Sequence, residues 1–380
     1  MIGKGAGPER VTGRIPGRPG LWELLIREDR IESVTCRDGS FQDERGAWIT
    51  PGLFDLQING IGGISFTDDS LTPETASRAD GLIRAGGVSR YCPTVITCSP
   101  ETGRAVLAAL ARTRAAGLMP GAWGVHLEGP WVSDVDGARG VHRREHIRDA
   151  SEEEWSALQK AAGGAIRVLT LAPERPGALG LVSRAARDGV IVSLGHTMAS
   201  PETIAQAVQA GARMSTHLFN GCPQLLDRHS NVVYSQLAED RLYASFIADG
   251  HHVPVGTLRI GLRAKGVDRS ILVSDLAHLS GLAEGEYVME GNRVELRDGG
   301  LRVKGSTLLS GAARTLAQDV AWLAGQAEPG IEAALLMATR SPAALIGDRA
   351  WADLVPGRRG PLAVFTWDGE RLELAQRRGF

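Results

Sequence analysis

The sequence predicts an α/β barrel of eight strand–helix units, the (β/α)8 or TIM-barrel class, with a small β-sandwich built from both ends of the chain. Three observations point there. Eight short apolar runs alternate with longer segments of helical periodicity between residues 52 and 275. Residues 1–50 and 350–380 carry hairpin patterns instead. Reactive polar residues close several of the apolar runs, and the strand ends of such a barrel are where reactive groups gather.

The runs are taken in order. They cover residues 52–58, 90–97, 123–128, 167–172, 190–196, 213–219, 243–249 and 271–275. Helical periodicity fills 74–86, 101–116, 178–188, 201–210 and 254–264 between them. Eight such units in about 250 residues is the size of one barrel, which sets its span at 51–349. Pro93 demotes the second run as an interior strand, because proline lacks the ladder N–H. The alternative, an open doubly wound sheet, has no GxGxxG opening a helix after an early strand. At the ends, "LWELLI" and "RIESVT" flank a tight turn, and "LAVFTW" and "RLEL" flank an Asp-Gly turn.

The 380 residues are 43% hydrophobic and 23% charged, which is ordinary globular composition. The formal net charge of −2 argues against nucleic acid or an anionic membrane surface as partner. No run of 18 apolar residues offers a membrane span, and the N-terminus lacks the apolar core of a signal peptide. Cys36, Cys92, Cys98 and Cys222 are scattered without a CxxC. Cys92 and Cys98 sit in an apolar run and are expected as buried thiols, and a reducing cytoplasm fits.

The chemistry is read from the strand ends. The first run closes on Asp55, Gln57 and Asn59, the third on Glu128, the fifth on His196 and the sixth on His217. The seventh ends at Asp249 with His251 and His252 behind it, and the eighth at Asp275. Each alone has a plain structural reading: a core histidine, an N-cap aspartate, or Glu128 paired with Arg139 or Arg143. Their convergence on one barrel mouth gives the sharper one. One carboxylate and two imidazoles form a three-ligand set for a catalytic zinc with an open fourth position. Iron, manganese or cobalt would suit the same donors. Asp275 is then a spare carboxylate able to carry a proton. His126 lies two residues before Glu128 on the same face, one layer deeper, and is expected to pack behind the site. His251 and His252 are adjacent, so only one is expected to face it.

The motifs "TPGLFDLQINGIGG", "HLEGPWVS", "SLGHT", "THLFN", "IADGHHV" and "VSDLAHLSGL" resemble, in the same order, those of the N-acetylglucosamine-6-phosphate deacetylase family of the amidohydrolase superfamily. The resemblance spans residues about 49 to 347. It implies a barrel with a small β-sandwich, usually a homodimer, that acts on an amino sugar phosphate with one divalent metal. Glu128, His196 and His217 match the metal ligands. Gln57 falls where many amidohydrolases carry a histidine of an HxH pair, which makes a second metal an unfavoured expectation. Asp275 matches the catalytic aspartate and His142 the histidine on the substrate carbonyl. Asn220 and Gly221 match the sugar-phosphate loop, Arg228 the phosphate arginine that commonly reaches across the dimer, and His252 a sugar-binding histidine. Ser310 and Gly311 fall on a further substrate-lining segment.

Two places depart from the family pattern. The loop after His217 reads "NGCPQLLDRHSN", without the usual Glu-Pro-Gly turn. Leu276-Ala277-His278 replaces the smaller residues usual after the catalytic aspartate. Both lie where sugar and phosphate would bind. Alternatives are therefore a related amidohydrolase for another N-acyl amino sugar, epimeric or unphosphorylated, or for an N-acyl amino acid or cyclic amide. A non-catalytic sugar-phosphate sensor on the same scaffold is the reading from another class. The intact Glu128, His196, His217 and Asp275 weigh against it.

Overall fold

A computed structural model describes residues 7–38, 43–289, 291–326 and 328–380. Its central element is a parallel eight-stranded sheet. The strands are β1 (Leu53–Ile58), β2 (Val88–Ile96), β3 (Val125–Glu128), β4 (Ile166–Leu171), β5 (Ile191–Leu194), β6 (Ala212–Ser215), β7 (Tyr243–Phe246) and β8 (Ser270–Leu272). They pair in sequence order. Just past β8, Leu276 bridges in parallel to Ile58 of β1, and Asp275 N donates to Gln57 O at 3.0 Å. That last contact closes the barrel and brings the ends of β1 and β8 side by side.

All eight runs expected from the sequence are strands. Pro93 sits inside β2 all the same. The ladder between β1 and β2 loses register between Asp55 and Ile58, and Ile58 N donates to the Thr94 hydroxyl at 3.1 Å instead. The proline is tolerated because the ladder is already irregular there.

The helices start by a repeated local device. Thr72-Pro73-Glu74, Ser99-Pro100-Glu101 and Ser200-Pro201-Glu202 each open a helix. In each, the hydroxyl accepts from a threonine N–H three residues on, at 3.1–3.2 Å. Proline occupies the first helical position, where its missing N–H leaves nothing unsatisfied.

The barrel interior is layered by the two-residue period of its strands. Val168, Met214 and Ile271 belong to one buried apolar cluster with Phe54 and Leu56. Two residues on, Thr170 and Thr216 share a hydrogen bond of 2.6 Å. Thr170 also meets His126 Nε2 at 2.7 Å, while His126 Nδ1 donates to Leu56 O at 3.0 Å. Burial pushes His126 down to about pKa 4, so the ring is neutral and its Nε2 accepts from Thr170. His126 therefore packs behind the site, as expected. The next residue upward on its face is Glu128.

The chain ends pair in one six-stranded sheet, of Glu9–Ile15, Arg18–Arg27, Arg30–Asp38, Gly46–Thr50, Leu362–Trp367 and Leu372–Arg378. Val11, Leu24, Ile31, Ile49 and Val364 share its buried core. The sequence reading missed a second β unit. Gly285–Met289, Asn292–Arg297 and Gly300–Val303 form an antiparallel three-stranded insert after β8. Its alternation and "RDGGL" turn were the available signals.

Thr170→Val keeps the side-chain shape and leaves His126 Nε2 without its donor. Unfolding free energy in urea is expected to fall by about 1–3 kcal/mol, the cost of a buried unsatisfied group. Stability equal to wild type would refute the proposed hydroxyl layer.

Candidate active site

Glu128 ends β3 and is buried. Its Oε1 lies 3.0 Å from His217 Nε2 and 3.2 Å from His196 Nε2. Arg139 and Arg143, the alternative partners, pair instead with Asp136 and Glu145. Among the described residues, Glu128, His196 and His217 are the group whose ligand atoms all lie within 4.8 Å of one another. Burial alone would raise the Glu128 carboxyl, but hydrogen bonds and charge from the two histidines hold it well below the usual carboxylate range. His196 Nδ1 donates to Ala138 O at 2.9 Å, so a metal displacing the Nε2 proton would meet a lone pair there. A divalent ion could take the place of the protons that now join both Nε2 atoms to Glu128 Oε1. The donor set suits a divalent ion such as zinc, and a second contact already orients the His196 ring.

Three of these strand-end residues have left-handed backbone: His196 (φ 49°), His217 (φ 31°) and Asp275 (φ 50°). A side chain in this region costs about 1–3 kcal/mol and persists only where the surroundings enforce it. Each turn aims its side chain across the barrel mouth.

Asp275 is held by two amides. Gln57 Nε2 donates to its Oδ1 at 3.0 Å and Asn59 Nδ2 at 2.7 Å. Gln57 Nε2 also donates to Glu128 Oε2 at 3.1 Å. Its Nε2 thus orients the Glu128 and Asp275 side chains, while its Oε1, the atom through which an amide ligates a metal, is buried without a hydrogen-bond partner. Burial and the Glu128 charge raise the Asp275 pKa, and His217, His252 and the Asn59 bond pull part of the way back. A raised carboxyl is suited to exchanging a proton near neutral pH.

His142 is buried against the cluster, its ring 4.1 Å from that of His196. Its Nδ1 meets the Thr97 hydroxyl at 2.7 Å. Burial first, then the neighbouring His196, lowers its pKa well below the usual value, so the ring is neutral. The Thr97 hydroxyl also lies 3.5 Å from Glu128 O, and when it turns its proton to His142 Nδ1 the ring proton sits on Nε2.

These groups share one cavity of about 270 Å³. Glu128, His142, His196, His217, Asp275 and His252 line it, as do Asn220, Gly221 and Gly311. Gly221 has φ 56°, and a Cβ there would lie 2.8 Å from His196 Nδ1. Only glycine lets the loop backbone pass so close. Asn220 Nδ2 is tied to His217 O at 3.1 Å. Ser310 is fully buried and not on the cavity wall, although its neighbours Leu309 and Gly311 are. Arg228 is exposed, on a turn pinned by Asp227, whose Oδ1 accepts from His229 N and Ser230 N. It does not reach this cavity within one chain. His251 turns away and meets Asp298 O at 3.1 Å. Asn59, Gln224 and His278, each placed by the sequence reading without a role, also line the cavity, as does Met289 of the insert, which that reading missed. Asn59 closes the first strand run beside Gln57, and that position was its signal.

Comparison with known proteins decides the family. No protein-family model matches the chain. The chain is 33% identical over 326 residues to the N-acetylgalactosamine-6-phosphate deacetylase of Shewanella sp. (strain ANA-3), covering 84% of this chain and 78% of that protein. It is 32% identical over 346 residues to the N-acetylglucosamine-6-phosphate deacetylase of Bos taurus, covering 86% and 82%. The chain belongs to the N-acetylglucosamine-6-phosphate deacetylase family of the amidohydrolase superfamily. Its fold matches a solved Mycobacterium smegmatis N-acetyl-D-glucosamine-6-phosphate deacetylase, an Asp-to-Ala mutant in complex with N-acetyl-D-glucosamine-6-phosphate. The TM-score is 0.84 at 27% identity, over 97% of this chain and 99% of that one. The Pasteurella multocida enzyme gives 0.82 at 27%, over 94% and 95%.

Zinc added to metal-free protein at 100 times its Kd is expected to stabilise the chain by about 2.7 kcal/mol. Glu128→Gln and His196→Ala should lose most of that gain in a thermal melt. Equal zinc-dependent shifts in the variants would sink the three-ligand assignment.

Proposed function

We propose that this chain hydrolyses the acetamide of an N-acetyl amino sugar 6-phosphate, releasing acetate and the free amine. One observation carries the chemistry. Asp275, one oxygen fixed by two amides, faces the same cavity as the Glu128, His196 and His217 cluster. Family membership carries the substrate class, with glucosamine as first choice and galactosamine as the alternative.

Glu128, His196 and His217 would hold one divalent ion, zinc by preference. When bound, such an ion polarises a carbonyl and lowers the pKa of a bound water toward neutrality. Gln57 joins those three ligands as the fourth residue of the metal site, and it stands where an HxH pair would place a histidine for a second ion, which supports one ion and not two. Asp275 Oδ1 is occupied by Gln57 and Asn59, leaving Oδ2 to take a proton from the attacking water. His142 Nε2–H donates to the carbonyl oxygen as negative charge grows there. Asp275 then delivers its proton to the leaving nitrogen as the C–N bond breaks. His252 and the 220–224 loop bind the sugar and its phosphate. Arg228, out of reach of its own cavity, serves the partner's site in a homodimer. Four cysteines scattered without a CxxC support a cytoplasmic setting. The barrel at 51–349 and the β unit at 1–50 with 350–380 complete the proposal.

Asp275→Asn is expected to fold and bind metal normally while kcat falls by roughly 10²–10⁴, the usual worth of a general acid–base. Acetate release near the wild-type rate would remove Asp275 from the role.

The phosphate assignment has its own test. Acetate release is measured from N-acetylglucosamine, its 6-phosphate and the galactosamine epimer's 6-phosphate. Arg228→Ala should raise KM for the phosphorylated sugars about tenfold or more, as expected for a lost charge-assisted bond, and leave the unphosphorylated one unchanged. Equal use of both sugars by the wild type would undo it.

A further inference from the structure

From Ile271 to Ser280 one residue alone is not buried, His278. It lines the active-site cavity, on the segment that leads away from Asp275. Its backbone is fixed on two sides. Leu276 O accepts from Asn59 N at 2.9 Å and from Gly60 N at 3.2 Å, and His278 O accepts from Gly63 N at 2.7 Å. On the other side Ala277 N donates to Ala312 O at 2.8 Å. Gly60 leaves no space behind the side chain: a Cβ there would lie 2.6 Å from the His278 Cβ. His278 therefore rests on residues 60–63 beyond β1, whereas Gly221 rests on His196 beyond β5. Strands β1 and β5 are four apart in a ring of eight, so the two residues stand on opposite sides of the mouth.

Among the described residues, no group hydrogen-bonds the His278 ring. Burial lowers its pKa from the usual imidazole value and the Asp68 charge raises it part of the way back, so the ring is neutral. A neutral imidazole carries one N–H and one lone pair. The adjoining wall is polar in the same way. Ser65 Oγ accepts from Thr67 N at 3.1 Å and Thr67 Oγ1 accepts from Ile96 N at 3.0 Å, which leaves each hydroxyl its O–H to give. Both residues line the cavity beside His278. A sugar hydroxyl, at once donor and acceptor, suits these groups. A phosphate does not, because the Asp68 carboxylate acts on the same ring and would repel it.

We infer that His278 is a specificity-determining residue whose ring pairs with a hydroxyl at the end of the amino sugar remote from the phosphate. This rests on the amino sugar phosphate reading above, which sets the phosphate at the 220–224 loop. In a 2-acetamido sugar 6-phosphate, C2 and C5 lie across the ring from each other. The hydroxyls flanking the acetamide, away from the phosphate, are those on C1 and C3. His278 reads one of them. A site built to pair with a hydroxyl rejects the analogue that lacks it, because its own polar atom is then stranded. The imidazole stands where the family pattern has a small side chain, so this contact belongs to this chain and not to the shared bond-breaking chemistry.

The test uses the metal-loaded full-length protein with its His278→Ala and His278→Gln variants. kcat and KM are measured for the 6-phosphates of N-acetylglucosamine, of its analogues lacking the C1 or the C3 hydroxyl, and of N-propionylglucosamine. Wild type should lose about tenfold in kcat/KM on one deoxy analogue, the size of one hydrogen bond. His278→Ala should raise KM for the parent sugar about tenfold, more than kcat falls, and the penalty for that analogue should vanish. His278→Gln, which keeps a donor and an acceptor, should recover part of the loss. A deoxy penalty equal in wild type and His278→Ala, or no penalty on either analogue in wild type, overturns the inference. So does a His278→Ala variant changed only by faster use of the propionyl sugar, since the ring would then limit the acyl group and read no hydroxyl. Absence of acetate release by wild type from all of these sugars overturns the substrate reading, and this inference with it.

Discussion

A carboxylate sealed at the end of a barrel strand sets the terms for everything around Glu128. Burying an isolated charge is far too costly for a fold to carry. Two imidazoles and an amide meet Glu128, from β1, from just past β5 and from just past β6. Each of those groups is constrained in turn. His196 is locked by Ala138 O, and Gln57 is shared with Asp275. The mouth is thus one connected set of polar contacts, and a divalent ion completes its charge balance. Reactivity follows from the same constraint: Asp275 is buried beside Glu128, and that neighbour raises its pKa.

The barrel supplies what such a set requires, a scaffold stiff enough to hold unfavourable backbone. His196, His217 and Asp275 all sit in the left-handed region just beyond their strands. A flexible loop would relax out of it. Here the apolar layer of Val168, Met214 and Ile271 and the hydroxyl layer of Thr170 and Thr216 fix the strands below. Strain at the mouth is therefore sustained by packing two and four residues deeper on the same strands.

Much of this was legible before any coordinates. Eight apolar runs located eight strands, because a parallel barrel buries both faces of each strand and leaves a continuous apolar signature. The cluster was legible because those strands end on Glu, His and His. What escaped has physical reasons too. Asn59 donates to a residue 216 positions away, a pairing created only when β1 meets the chain beyond β8. The insert's strands are half exposed and short, so their alternation is a weak signal beside buried runs. Asp249 read as a strand-end acid, since nothing local shows that all its contacts turn back on the following two histidines. Arg228 was found as a family position, but its place on an exposed turn makes its function a matter of quaternary structure.

The two departures from the family pattern can now be placed. Leu276-Ala277-His278 follows Asp275, and "NGCPQLLDRHSN" follows shortly after His217, so both border the cavity and neither supplies a hydrogen bond to Glu128. The loop is free to change along most of its length but not at Gly221, where any side chain would strike His196. Nor is it free at its far end, where Asn231 caps the helix Val232–Ala238 through Val233 N and Tyr234 N. Between those anchors Gln224 lines the cavity. The Glu128, His196 and His217 cluster and the loop that departs from the family pattern are therefore distinct parts of one mouth, joined where Gly221 passes His196.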